Sequence, residues 1–599
     1  LKPDRVLIGI VAALFIWALL LPGMSGASDS ALGLMFSTRG FALVPVVVVL
    51  VVAFVLAIRA GRNGTALLTV AAVVVVLRVT ATLITDLPLY PWTYKHVGIV
   101  DYLLQNHVLP PSGVDVYRDW PAFFTAFAWF SEITSADPVL IAHWFAPVTH
   151  VVLALMVGCL AMTIGLNGRQ ALVAVLLVET ANWVGQDYFS PQAFALPVAV
   201  GTLTLLIASR TTPAAGWLAF LAFAALVPMH QLTPYWVFGI VFVLVATRMV
   251  GPLWLPIPYA LLLFGYLYPR RDVLVQNGLF SGLNPLANAS SGVEFDSSAA
   301  KMFTSLACRG LSAAVVLLAV VALVFWWRQG RPLVTPAIIA FTSFALLFLN
   351  SYGGEAIYRV YLYALPGCAI LIAPILVDTI GLRAGGRGRH PSNHAVGGLH
   401  RGYQARHRKI PDRRHHVAAA GVLLSCIAVA GLQGYYGTWS MVVQTRSQLS
   451  LFTQLAKDVS GPVTFWNLHS EGIPDRPTAK WVSLAQYHAD FDTPIFDRWP
   501  DFAVGFPDGT QFDDVTSLAV SSGEDTYFAF TDQAIEAVGY LGITSSDSAR
   551  KFEDEFRNSP SWVLRYREKH TRIYQFYRPA IPLTAPQGST GEADLPATR

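Results

Sequence analysis

Residues 43–77 read LVPVVVVLVVAFVLAIRAGRNGTALLTVAAVVVVL, and this passage settles what kind of protein the chain makes. Each apolar run meets the length of about 20 residues that a helix needs to cross a bilayer. Between them sits IRAGRNG (58–64), a short turn carrying Arg59 and Arg62. Two spans around a basic turn predict a helical hairpin in lipid, with the turn on the cytoplasmic side.

The same pattern continues outward in both directions. The 599-residue chain is 54% hydrophobic and only 13% charged, with a mean hydropathy of +0.50, against roughly 25% charged residues in soluble domains. Thirteen apolar segments qualify as spans or nearly do, near 5–22, 40–58, 65–86, 138–164, 169–186, 190–209, 214–230, 233–248, 251–268, 308–327, 333–350, 360–380 and 416–434. The first is also readable as a signal peptide, because SGASDSA follows it like a small-residue cleavage site.

Starting with LKPDR inside and alternating, the short basic loops GLNGRQ (165–170), SRTTPAAG (209–216), TRMVGP (247–252) and WWRQGRP (326–332) all fall inside with IRAGRNG. So does 381–415, where nine basic residues face the single acid Asp412. The charge excess of +4 is concentrated there, which suits anionic lipid and argues against nucleic acid. The alternation sends 86–137, 185–191, 230–234, 269–307, 350–360 and the tail after about 435 outside. The expected organisation is a membrane domain (1–380), a basic cytoplasmic loop (381–415), a last span (416–434), an extracytoplasmic α/β domain (435–580) and a flexible tail (581–599). Within the tail region, GPVTFWNL (461–468) predicts a strand, SARKFEDEFRNS (548–559) a helix, and 562–578 a hairpin.

Every loop with unusual chemistry lies on the predicted outer face. The first, 85–138, holds Asp86, Asp101, Asp115 and Asp119, together with Lys95 and His96. Its YKHVGIVDYLLQNH (94–107) is amphipathic, as an interface helix would be. AFFTAFAWF (122–130) is too short to span, and Asp119 before it suits an N-cap. The segment ETANWVGQDYFSPQ (179–192) reads as a helix leaving the membrane at Asp187, with Gln186 and Tyr188 beside it. Glu179 then lies about 12 Å beneath Asp187, and Arg78 about 12 Å beneath Asp86, at 1.5 Å per residue. Opposite charges at equal depth are expected to pair, so an Arg78–Glu179 ion pair is predicted. His230 sits at a tight turn. In NSYGGEAIYRVYLYALPG (350–367), Glu355 and Arg359 share a helical face among tyrosines that include Tyr352 and Tyr358. A structural salt bridge is one reading, and a guanidinium placed for a phosphate headgroup is the other. The four cysteines lie in apolar runs without metal spacing, and no GxxxxGKS/T or HExxH motif is present.

In their order and shared sidedness, the loop YKHVGIVDYLLQNHVLP...VYRDWPAFF and the blocks GQDYFSPQ, HQLTP and YGGEAIYRVYL resemble those of the GT-C superfamily of integral-membrane glycosyltransferases, over about residues 1–435. The resemblance implies a polyprenyl-phosphate sugar as donor and a cell-envelope glycan, glycolipid or protein as acceptor, at the outer face of the plasma membrane. It implies Asp86 as general base, with Asp101 and Asp119 as further acid candidates, and Arg359 as receiver of the leaving phosphate. Glu355, Tyr358, Tyr352, Asp187, Gln186, Tyr188, His230, Lys95 and His96 then serve substrate binding. No cofactor is required by the motifs, and Mg2+ or Mn2+ held by Asp86, Asp187 and Glu355 stays open, as in some family members. The chain departs from the family pattern in the two spans before the acid-bearing loop and in the missing acid beside Asp86. The competing readings are a polysaccharide polymerase or ligase, a lipid-linked-glycan transporter, and a non-catalytic scaffold.

Overall fold

The computed structural model describes residues 4–24, 30–276, 284–290, 297–348, 355–381 and 414–577. All thirteen apolar segments contain helices. Eight are long and apolar enough to cross a membrane: Arg5–Gly23, Gly40–Ala60, Asn63–Ile84, Pro138–Ile164, Pro191–Ala208, Ala299–Arg328, Ala356–Ile380 and His415–Val442. The other five, Gly168–Ala181, Pro213–Leu226, Thr233–Ala246, Pro256–Leu267 and Val334–Phe348, are shorter. The chain is a polytopic helical membrane protein. The basic loop falls almost wholly outside the described residues, as does the tail after Tyr577.

Basic turns gather at one end of the bundle. There Arg62 meets Asp4 at 2.6 Å, Arg210 donates to Thr335 at 2.7 Å, and Arg331 lies 3.4 Å from Asp378. The segments predicted to lie outside gather at the opposite end. The Pro91–Asn106 helix buries Val97, Val100 and Leu103 as its amphipathic spacing requires, and the Ala122–Thr134 helix follows it. That second helix starts at Pro121 without a side-chain cap. The expected Asp119 cap is therefore absent, because Asp119 sits two residues early, closing a short 3-10 turn.

After the last span, a four-stranded sheet forms from β1 (Val463–Asn467), β2 (Asp525–Thr531), β3 (Trp562–Glu568) and β4 (Thr571–Phe576), in the order β1-β2-β4-β3. β1 and β2 run parallel, and β4 is antiparallel to β2 and β3. Alternation along each strand divides the side chains between two cores. Phe465, Tyr527, Ala529 and Ile573 join the core continuous with the bundle. Trp466, Phe528, Phe530 and Tyr574 face a second core, filled by Phe552 and Phe556 of the Ser546–Asn558 helix.

The sheet region docks on the outer-loop end. Asp101 accepts from the Ala479 backbone N–H at 2.8 Å, Asp475 N–H donates to Pro91 C=O at 3.4 Å, and Arg476 donates to Val114 C=O at 3.2 Å. Gly98 makes this approach possible, since a Cβ there would overlap the Arg476 carbonyl.

Candidate functional site

The site is built on a buried polar cluster that ties four helical segments together. Arg78 lies on a π-helical turn (Val75–Val79) within the Asn63–Ile84 span, a local widening often found where a helix carries a functional side chain. Its Nη2 donates to the carbonyls of Glu179 (3.1 Å) and Asn182 (2.8 Å), closing the C-terminal end of the Gly168–Ala181 helix. Nη1 lies 3.5 Å from Asp187, and Nε lies 4.0 Å from Glu179. The predicted Arg78–Glu179 pairing thus exists at its longest reach.

Glu179 has a closer partner in His150, whose Nδ1 is 2.7 Å from its carboxylate. The other ring nitrogen of His150 lies 2.9 Å from Asp187, which also accepts from the Tyr435 hydroxyl at 2.9 Å. Each short N···O contact needs a proton between ring and carboxylate. The ring and two carboxylates together therefore carry one negative charge however those protons are divided, and Arg78 balances it. Neutrality of the whole set is what permits such burial.

The helix expected to run to Asp187 ends at Ala181. Residues 182–187 are non-helical and fold back, so Asp187 is 7% exposed and beside Arg78 rather than at the water boundary. Unwound backbone at membrane depth is tolerated where it is buried in protein or lines a cavity, and here Arg78 takes up the Asn182 carbonyl.

Above this cluster a cavity of about 620 Å³ opens between the outer loop, Tyr188, Gln231, the start of the Ala356–Ile380 helix and Arg476. Two acid–base pairs face it. Lys95 holds Asp115 at 3.0 Å and lies over the Trp92 ring at 4.5 Å. Burial opposes the Lys95 charge, but Asp115 and Asp475 outweigh it and raise its pKa. Asp115 also accepts from the Tyr117 N–H at 3.1 Å. The second pair is Glu355–Arg359 at 2.5 Å, with Glu355 45% and Arg359 9% exposed at the side chain. Arg476 is clamped by Asp492 through two bonds of 2.7 and 2.6 Å.

A smaller pocket of about 90 Å³ shares Tyr117, Tyr188, Gln231 and Arg359 with this cavity and is lined by His96 and His230. Burial pushes the His96 ring down to about 4, and its Nδ1 donates to the Phe189 carbonyl at 2.7 Å. It is a neutral rivet, stacked on Tyr188 with ring centroids 5.8 Å apart. Burial and the Arg359 charge hold His230 well below the usual imidazole range. His230 accepts from the Thr233 backbone N–H at 3.2 Å and so serves the turn.

Of the residues nominated from sequence, Lys95, His96, Tyr188, His230, Glu355 and Arg359 are brought together. Asp86 is not; it is 74% exposed at the side chain, pairs with Arg446 at 3.3 Å, and does not line the cavity. Asp101 binds Gln105 and the sheet region, and Asp119 lies 3.6 Å from Arg270. Gln186 accepts from Gln192, Tyr358 packs edge-on to Trp183, and Tyr352 lies outside the described residues. Asp86, Asp187 and Glu355 each engage a different cation, and no cluster able to hold a metal exists among the described residues. The metal reading therefore does not fit these three acids.

Sequence reasoning missed His150, Tyr435 and Arg476. His150 had a signal, being an ionisable side chain inside an apolar span. Arg476 had none, because its role arises from docking.

No family model and no curated protein matches the sequence. Among solved structures, the chain is similar to ArnT from Cupriavidus metallidurans in the apo state, at 12% identity and a TM-score of 0.42, covering 86% of this chain and 97% of that one. It is similar to the same protein bound to undecaprenyl phosphate at 12% identity and a TM-score of 0.42, covering 86% of this chain and 98% of that one.

Proposed function

We propose that the protein is a GT-C-type membrane glycosyltransferase that moves a sugar from a polyprenyl-phosphate donor to a cell-envelope acceptor on the extracytoplasmic face. The observation that carries this reading is the cavity in which an outer-loop carboxylate, Asp115, and a nearly buried guanidinium, Arg359, face the same volume among aromatic walls. Its volume lies within the roughly 300–1,000 Å³ of small-molecule sites.

In this reading the acceptor hydroxyl oxygen attacks the anomeric carbon and the bond from that carbon to the phosphate oxygen breaks. The electron pair leaves with the lipid phosphate, which Arg359 receives, and the hydroxyl proton passes to Asp115. A cation fixed in place before charge develops needs no reorganisation, which is why such groups contribute strongly to rate. Lys95, 3.0 Å away, orients Asp115. Glu355 holds the Arg359 fork in position until phosphate arrives. In this reading the role of outer-loop base passes from Asp86 to Asp115, which alone of that loop's four aspartates Asp86, Asp101, Asp115 and Asp119 lines the cavity.

The test supplies membranes containing the full chain with radiolabelled polyprenyl-phosphate mannose or arabinose. Transfer is expected, with Arg359→Ala and Asp115→Asn each lowering kcat by about 10²–10³-fold. Unaltered transfer by both variants would overturn the reading.

A further inference from the structure

A second cavity, of about 360 Å³, adjoins the first and shares Trp92, Lys95 and Arg476 with it. Its inner wall is the bundle-facing side of β1. Strand alternation puts Phe465 and Asn467 on that side while Trp466 joins the opposite core.

Asn467 is 3% exposed, and its side-chain oxygen has no hydrogen-bond partner among the described residues. An unmatched buried acceptor is costly. A ligand with hydroxyls to donate would recover that loss. Asp475 is the second acceptor, its side chain 23% exposed and 4.0 Å from Arg476, whose fork is already committed to Asp492. Burial, reinforced by the Asp492 charge against the pull of Lys95, pushes the Asp475 carboxyl up to about 6. Asp497 stands exposed at the wall, and Asp490 is engaged by Arg498 at 3.4 Å. Trp92 is 44% exposed and lines both cavities, with Lys95 over its ring at 4.5 Å.

Acceptor oxygens beside an accessible indole suit a polyhydroxylated ring with apolar C–H faces. The carboxylates disfavour an anionic ligand. We propose that this cavity binds a neutral sugar unit of the acceptor, its hydroxyls donating to Asn467 and Asp475 and one ring face lying on Trp92. The inference rests on the transferase reading, and names where the acceptor waits beside Lys95 and Asp115.

The test titrates the purified full chain in detergent with neutral oligosaccharides, one of mannopyranose and one of arabinofuranose units, following tryptophan fluorescence and saturation-transfer NMR. Saturable binding of at least one is expected, weakened at least tenfold in both Asn467→Ala and the isosteric Asp475→Asn, with thermal transitions unchanged. Failure of both oligosaccharides to bind wild type, equal binding by the variants, or preference for a uronic-acid oligosaccharide would overturn the proposal. The transfer assay separates the two claims. Turnover with an unmoved acceptor KM in the variants removes the subsite and leaves the transferase. Oligosaccharide binding without turnover of any polyprenyl-phosphate sugar does the reverse.

Discussion

Replacing His150 by alanine tests the charge accounting of the buried cluster. His150 is 1% exposed and contacts Glu179 at 2.7 Å and Asp187 at 2.9 Å. Its loss removes the proton bridges between the two carboxylates and leaves them against Arg78 alone, an excess of one buried negative charge. Breaking a buried ionic set in this way costs about 3–5 kcal/mol. Glu179→Gln alone removes one negative charge, which the ring offsets by releasing a proton and accepting from the new amide N–H at Nδ1. The double variant His150→Ala/Glu179→Gln restores neutrality between Arg78 and Asp187. Its cost should therefore fall below the sum of the single costs by about 1–3 kcal/mol, the coupling expected of residues in one network. SDS titration in mixed micelles, followed by tryptophan fluorescence, measures all four corners of the cycle. His150→Gln, which keeps a donor and most of the volume, should fall between wild type and alanine. Strict additivity, or a His150→Ala protein as stable as wild type, would refute the neutrality of the cluster.

Asp86→Asn should lower transfer by less than about fivefold, since its exposed pair with Arg446 has a worth of about 0–1 kcal/mol; a loss as large as that of Asp115→Asn in the radiolabel assay would return the base to Asp86. Burial pushes Glu471 up to about 7 from an ordinary value of 4.5. The folded state then holds a proton that the unfolded chain releases, so stability falls as pH rises across that window, by at most about 3 kcal/mol. Glu471→Gln should raise the thermal transition at pH 8 more than at pH 5, and an equal shift at both would count against this. Gly98→Ala should loosen the docking of the sheet region by about 1–3 kcal/mol of overpacking, seen as faster proteolytic release of residues after 443; unchanged cleavage would deny the close approach at Arg476.

The membrane architecture was legible because lipid enforces it. A span must satisfy its backbone internally and present apolar side chains, so composition alone locates the thirteen helical segments. Length was overestimated at 169–186, where hydropathy continues past the point at which Asn182 and the Arg78 fork end the helix. In the sheet region, 461–468 and 562–578 matched β1 and the β3–β4 hairpin through flanking turns and alternation. β1 and β2 are both buried almost throughout, so neither alternates; the Gly461-Pro462 turn announced β1, and β2 escaped notice.

The candidate site was legible only in its parts list. Arg359, Glu355, Tyr188, Lys95 and His230 stood out as polar groups on loops that charge alternation places together. Which acid faces them did not, because Asp86, Asp101, Asp115 and Asp119 are equivalent as symbols in one loop. Their roles were separated by partners far away in the chain: Arg446 for Asp86, Ala479 for Asp101 and Arg270 for Asp119, with Lys95 turning Asp115 to the cavity. Hydrophobic periodicity is a local property, so one sequence suffices to read spans, turns and strands. Distances between polar groups separated by 29 to 378 positions are set by how those elements pack, and only the folded chain records them.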